Sequence, residues 1–212
     1  LAFLAMLALC LRLGFNPVMS GSTALIGSGD GVSSIFLMGY LDLSQVGPVG
    51  LAAFVLSGLA LQFQPALMRA LTSRQERMIR MGPVRRVARR ENLLFAIIGL
   101  VLTGILVPGA LVLTGMFFLG NLIRESGVSE RLARTLSNRL GDILLLLMGL
   151  AVGSACRAED IFSATFAQVI GLGVVALVLV TVLAVLAIKV TNLFSARKIN
   201  PLVGGAALCG LT

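Results

Sequence analysis

Residues 167–188 carry no charge, and about 20 apolar residues rising 1.5 Å each are enough to cross the hydrocarbon layer as one helix. A segment of that kind constrains everything around it. In lipid every backbone N–H and C=O must be paired internally, which leaves helices or closed barrels. Residues 46–68 read the same way, and shorter apolar runs follow at 93–107, 110–121 and 143–153. With 58% hydrophobic and 12% charged residues and a mean hydropathy of +1.02, the chain holds more apolar surface than one soluble core could hide. The expected fold class is all-α. It is a polytopic membrane protein of about five to seven spans, some of them broken, with a weak internal repetition of the kind seen in inverted-repeat transporters. Residues 1–212 are read as a single membrane domain. The apolar start lacks an initiating Met and a basic stretch ahead of it, so the sequence is expected to be the C-terminal half of a longer chain.

The formal charge of +8 would suggest nucleic acid if it were spread over a soluble face. Instead Arg69, Arg74, Arg77, Arg80, Arg85, Arg86, Arg89 and Arg90 sit in one polar loop, residues 69–92. Short basic loops between apolar spans mark the cytoplasmic side. With this loop inside, the alternation of spans also places Arg12, Arg124, Arg131, Arg134, Arg139, Lys189, Arg197 and Lys198 inside. Only Arg157 falls outside. The partner read from these charges is the bilayer, not nucleic acid.

The chain contains no His and no Trp, which removes imidazole relays and the usual zinc and iron ligand sets. Cys10, Cys156 and Cys209 are scattered, an odd number without paired spacing, and are read as packing residues. Carboxylates, hydroxyls, amides and carbonyls remain, and these suit a hard cation.

Four polar clusters interrupt the apolar pattern. Gly27-Ser28-Gly29-Asp30-Gly31 lies at the centre of residues 18–41, which puts Asp30 roughly 15 to 18 Å from either end and near the bilayer midplane. Two half-helices meeting at unwound backbone, with Ser28, Ser33 and Ser34 beside a carboxylate, make a cation site in many secondary transporters. Asp30 also fits a second reading, as the cap of the following half-helix. Gly153-Ser154-Ala155-Cys156-Arg157 forms a comparable interruption in the other half of the chain. Gly120-Asn121-Leu122-Ile123-Arg124-Glu125-Ser126-Gly127 ends a span, and residues 129–140 after it read as an amphipathic helix. Arg124 and Glu125 are expected to pair locally with Glu130 or Arg131. Asn200-Pro201-Leu202-Val203-Gly204-Gly205 is read as a turn or a re-entrant loop.

In these clusters the sequence resembles the beta subunit of the oxaloacetate, methylmalonyl-CoA and glutaconyl-CoA decarboxylases. The resemblance runs through Ser28-Gly29-Asp30-Gly31, through Gln64-Pro65-Ala66-Leu67-Met68-Arg69-Ala70-Leu71-Thr72, through residues 116–128 with Glu130-Arg131-Leu132, and through Ile199-Asn200-Pro201-Leu202-Val203-Gly204. It implies a subunit that takes carboxybiotin from a biotin-carrying alpha subunit, decarboxylates it and couples that step to sodium export. A small gamma subunit completes the complex. Under the resemblance Asp30 and the Asn200 loop would form the sodium centre, with Ser154 contributing, and Asp30, Asn121, Arg124 and Ser126 would be catalytic or path-lining groups. The localisation implied is a bacterial or archaeal inner membrane, with multiple passes. Self-association into a homo-oligomer is left open.

Three departures from the family pattern stand out. Leu56 occupies the place of a family tyrosine, Val32 replaces a proline, and Gly205 and Cys209 stand where polar side chains are usual. Two other readings therefore remain: a secondary ion-coupled transporter without biotin chemistry, and a diverged, inactive membrane scaffold.

Overall fold

The computed structural model describes residues 2–81, 87–195 and 198–209. Arg85, Arg86 and Arg197 lie outside the described residues, as does the side chain of Cys209. In chain order the helices are α1 (Ala2–Arg12), α2 (Pro17–Gly27), α3 (Gly31–Leu41), α4 (Val46–Leu71), α5 (Arg74–Arg77), α6 (Arg89–Leu106), α7 (Leu111–Ser126), α8 (Glu130–Arg134), α9 (Gly141–Ala155), α10 (Ala158–Ile161), α11 (Ala164–Phe194) and α12 (Leu202–Cys209). Among the described residues there is no β-strand. Three helical stretches are long and apolar enough to cross a membrane: Leu43–Leu71, Glu130–Ala155 and Phe166–Phe194. The protein is an all-helical membrane protein.

The chain divides into two compact units, one comprising Leu1–Gly82 and Ala151–Thr212, the other Pro83–Leu150. In the first, α2, α3, α4 and α11 pack around Met19, Ile26, Met38, Val49, Ala52, Leu56 and Val169. A second cluster of Met6, Cys10, Ala24 and Ala176 seats α1. Helix contacts here are made through small residues. A Cβ on Gly27 would lie 2.0 Å from Ala176 Cβ of α11, and one on Gly173 would lie 2.1 Å from Leu56 Cδ1. Without a hydrophobic drive between helices in lipid, such close backbone approach is what holds spans together.

In the other unit α6 and α7 form a hairpin about the 3-10 turn Pro108–Ala110. Phe118 packs over Gly99, and Phe95 and Phe117 meet it edge-on at 6.0 and 5.3 Å. The expected amphipathic helix of residues 129–140 is present, but it does not stop before the next span. α8 passes through a π-helical stretch, Thr135–Leu140, directly into α9, because no proline or left-handed glycine intervenes.

Candidate functional site: a broken helix beside a small polar cavity

α2 and α3 contain 11 residues each, so each half spans about 16 Å and the pair about one hydrocarbon thickness. The junction between them is fully capped on both sides. Gly29 has φ +85°, Gly29 N–H donates to Ile26 O (3.0 Å), and Asp30 N–H donates to Leu25 O (3.0 Å). These are the two bonds of a Schellman stop, which requires a residue without Cβ at the left-handed position. The residue after that glycine, Asp30, is the N-cap of α3. Asp30 Oδ1 accepts from Ser33 N–H at 3.0 Å, so the carboxylate caps the second half-helix and lies at the positive end of its dipole. The capping reading of Asp30 is thus realised, at the centre of a span-length pair and not in a peripheral loop.

Beside the break lies a cavity of about 20 Å³, room for roughly one water-sized sphere, lined in part by Ser28, Gly29, Leu56, Ser57, Leu61 and Gln64. Gln64 is 2% exposed, and its Nε2 donates to Gly205 O of α12 at 3.1 Å. Pro65 sits inside α4 and has no N–H, so the Leu61 carbonyl loses its i+4 donor at the same place. Hydroxyls, an amide and a freed carbonyl therefore line the cavity that begins at Ser28 and Gly29, next to Asp30 in the chain. One turn earlier, Ser22 Oγ and Thr23 Oγ1 are buried without a hydrogen-bond partner. Leaving such a group unpaired costs about 1–3 kcal/mol, a cost that a bound water or cation would remove.

In the sequence Gln64 and Pro65 stand out only as part of a motif, and Ser22, Thr23, Ser57 and Leu61 do not stand out at all. A signal did exist for Gln64: an amide followed by proline inside an apolar helix. Leu56 is buried in the cavity wall against Gly173.

Among the described residues no hydrogen bond joins Asp30, Asn200 and Ser154. A Cβ on Gly31 would lie 3.1 Å from Ala53 Cβ of α4, whereas one on Gly205 would meet Met68. Gln64, which holds Gly205, lies 11 residues beyond Ala53, about 16 Å along the axis of α4. The cavity occupies the interval. Asn200 Nδ2 donates to Arg77 O (3.0 Å) and Ile79 O (3.4 Å), and its Oδ1 accepts from Leu202 N–H at 3.0 Å. Ser154 is exposed and donates to Ala151 O at 2.8 Å.

Asn121, Arg124 and Ser126 belong to the other unit, at the end of α7. Ser126 Oγ donates to Ile123 O at 2.9 Å, and Gly127 closes the helix at φ +56°. Arg89 of α6 donates to Glu125 O and Ser126 O, and Asn92 donates to Glu125 Oε2 at 3.0 Å. Arg124 lies 3.9 Å from Glu125 and is largely exposed. Glu130 pairs with Arg134, one turn on. The expected pairing across to Glu130 or Arg131 is replaced by these shorter-range partners and by the clasp from α6.

Comparison with known proteins sets these clusters in context. The sequence profile of the Na+-transporting oxaloacetate decarboxylase beta subunit matches residues 1–211. The chain is 40% identical over 196 residues to oxaloacetate decarboxylase beta chain 2 of Salmonella typhi, covering 92% of this chain and 45% of that one. It is 39% identical over 194 residues to methylmalonyl-CoA decarboxylase subunit beta of Propionigenium modestum, covering 92% and 49%. With glutaconyl-CoA decarboxylase subunit beta of Acidaminococcus fermentans the identity is 33% over 206 residues, covering 97% and 55%. The chain thus spans about half the length of the curated relatives it matches.

Proposed function

The chain belongs to the family of Na+-transporting oxaloacetate decarboxylase beta subunits, and from that premise we propose that the protein decarboxylates carboxybiotin and couples this to sodium export across the inner membrane. The observation that carries the proposal is the capped break at Asp30 beside a cavity of oxygen donors. Sodium takes hard oxygen ligands, and Asp30, Ser28, Ser57, Gln64 and the Leu61 carbonyl supply that chemistry. The Ser22 and Thr23 hydroxyls, buried without a partner in the same half-helix, are further oxygen donors of that kind. Asn200 acts through backbone contacts that hold the last loop against the end of α4 and α5, and Gln64 links that loop to the cavity. Asn121, Arg124 and Ser126 serve at the cytoplasmic end of the α6–α7 hairpin, and Ser154 offers its hydroxyl at the end of α9. In this reading the basic loop of residues 69–92 faces the cytoplasm, where a biotin-carrying alpha subunit delivers its cargo. A small gamma subunit and other copies of the chain complete the assembly.

The test is sodium-dependent decarboxylation of carboxybiotin by the full-length protein reconstituted with its alpha and gamma partners. Sodium stimulation that disappears in Asp30→Asn supports the proposal, whereas decarboxylation indifferent to both sodium and Asp30 removes it. Leu56 in the cavity wall favours one competing reading, a diverged scaffold, because the phenol that the resemblance implies there is missing. Absent transport in the native protein, not restored by Leu56→Tyr, would select that reading.

A further inference from the structure

Between α5 and the end of α11 lies a second cavity, of about 480 Å³, within the range that holds small ligands. Its charged groups are Lys189, Lys198 and Glu76, and its apolar wall is Ile79, Val190 and Leu193. Lys189 Nζ lies 3.1 Å from Glu76 Oε1, with each side chain about one third exposed. Glu76 is fixed a second time, since its Oε2 accepts from Ser73 N–H at 2.7 Å and its own N–H donates to Ser73 Oγ. These contacts, the Ser73 N–H foremost and Lys189 after it, hold the Glu76 carboxyl below the usual carboxylate range, so the acid stays ionised at neutral pH. An ammonium has three donors, and Glu76 occupies one of them. The formal balance of Lys189, Lys198 and Glu76 is one positive charge. Asn192 does not add to it, because its amide is spent on Ile199 N–H and O.

We propose that this cavity is the docking site for the carboxylated ureido ring of carboxybiotin, with the carbamate oxygens on Lys189 and Lys198 and the ring and its aliphatic chain against Ile79, Val190 and Leu193. This rests on the function proposed above and assigns it a place. The ligand pairs an anionic head with an apolar body, and the cavity pairs charged groups with an apolar wall. The position also suits coupling. α5 carries Glu76, and Arg77 O at its end with Ile79 O just beyond it holds Asn200, so a carbamate on Lys189 acts on the short segment that positions the last loop. That loop reaches the cavity at Asp30 through Gln64 and Gly205.

The experiment uses the full-length protein with its native cysteines replaced by serine and with Val190→Cys as a reporter. The probes are biotin methyl ester carboxylated on its ureido nitrogen and the same ester uncarboxylated. The carboxylated ester is expected to slow maleimide alkylation of the reporter about tenfold and the uncarboxylated ester little. That protection should vanish in Lys189→Gln, fall about threefold in Lys198→Gln and persist in Lys189→Arg. Lys198 is exposed, so its variant reports binding even where Lys189→Gln fails to fold. Equal protection by both esters, or none, overturns the assignment. Decarboxylation without protection sinks the docking site and leaves the proposed function standing. Protection without decarboxylation does the reverse.

Discussion

Two interruptions with similar sequences, Gly27-Ser28-Gly29-Asp30-Gly31 and Gly153-Ser154-Ala155-Cys156-Arg157, become different structures. The first divides one span-length into two half-helices joined by three residues, with a stop and a start fused at Asp30. The second is a corner between helices that are each long enough to span, α9 with its preceding turns and α11. At the first, Gly27 and Gly31 are pressed against α11 and α4, and Ser28 lines the polar cavity. At the second, nothing lies within 4 Å of a Cβ on Gly153, and Ser154 is exposed. Glycine, serine and an acid nearby are therefore not enough to make an ion site. α4 approaches both, since a Cβ on Gly47 would lie 2.5 Å from Ala155 O, so what separates the two is the polar cavity that α4 and α11 close beside the first.

The comparison is tested most severely on sodium. Asp30→Asn keeps an efficient N-cap while removing the charge, so the fold should survive and sodium stimulation of decarboxylation should fall to background. Ser154→Ala should leave the sodium half-saturation unchanged. Equal losses in both variants would break the distinction between the two interruptions.

Packing is the next lever. Gly27→Val must push α2 away from Ala176 and is expected to cost about 3 kcal/mol, read as a lowered unfolding midpoint of the purified full-length protein. Gly153→Ala meets open space inside a helix and should be neutral or stabilise by up to about 1 kcal/mol. Gln64→Leu ranks below Gly27→Val, at about 2 kcal/mol, because it strands the buried Gly205 carbonyl. It should also weaken sodium stimulation, since the link from the cavity to the Asn200 loop is cut. Unchanged stability in Gln64→Leu would show that the link carries nothing.

The sequence made the membrane class, the break at Asp30 and the spans around 46–68 and 167–188 legible, because each depends on local composition. Glycines flanking an acid stop a helix whatever surrounds them. What stayed hidden depends on neighbours distant in sequence. Ser57 and Leu61 look like ordinary helix residues until α2 and α11 close over them, and Gln64 gains its meaning from Gly205, far along the chain. The same holds for the end of α7. The local pairing expected for Arg124 and Glu125 gave way to Arg89 and Asn92, which arrive from the neighbouring helix. The helix of residues 129–140 ran on into the next span because its end carried no stop signal, and the apolar span beginning at Ile143 had drawn the boundary too late.

The smallest effect separates the two interruptions most cleanly, because each leads to a helix with a side-chain cap, α3 directly and α11 after the short α10. Ser163 Oγ accepts from Phe166 N–H at 3.1 Å at the start of α11, as Asp30 does from Ser33 at the start of α3. Ser163→Ala removes a cap and no charge, and should cost about 1 kcal/mol of stability with the sodium half-saturation unchanged. Asp30→Asn should do the opposite, holding stability and losing sodium. If Ser163→Ala also shifted the sodium response, the corner before α11 would belong to the ion path and the contrast drawn between the two interruptions would fail.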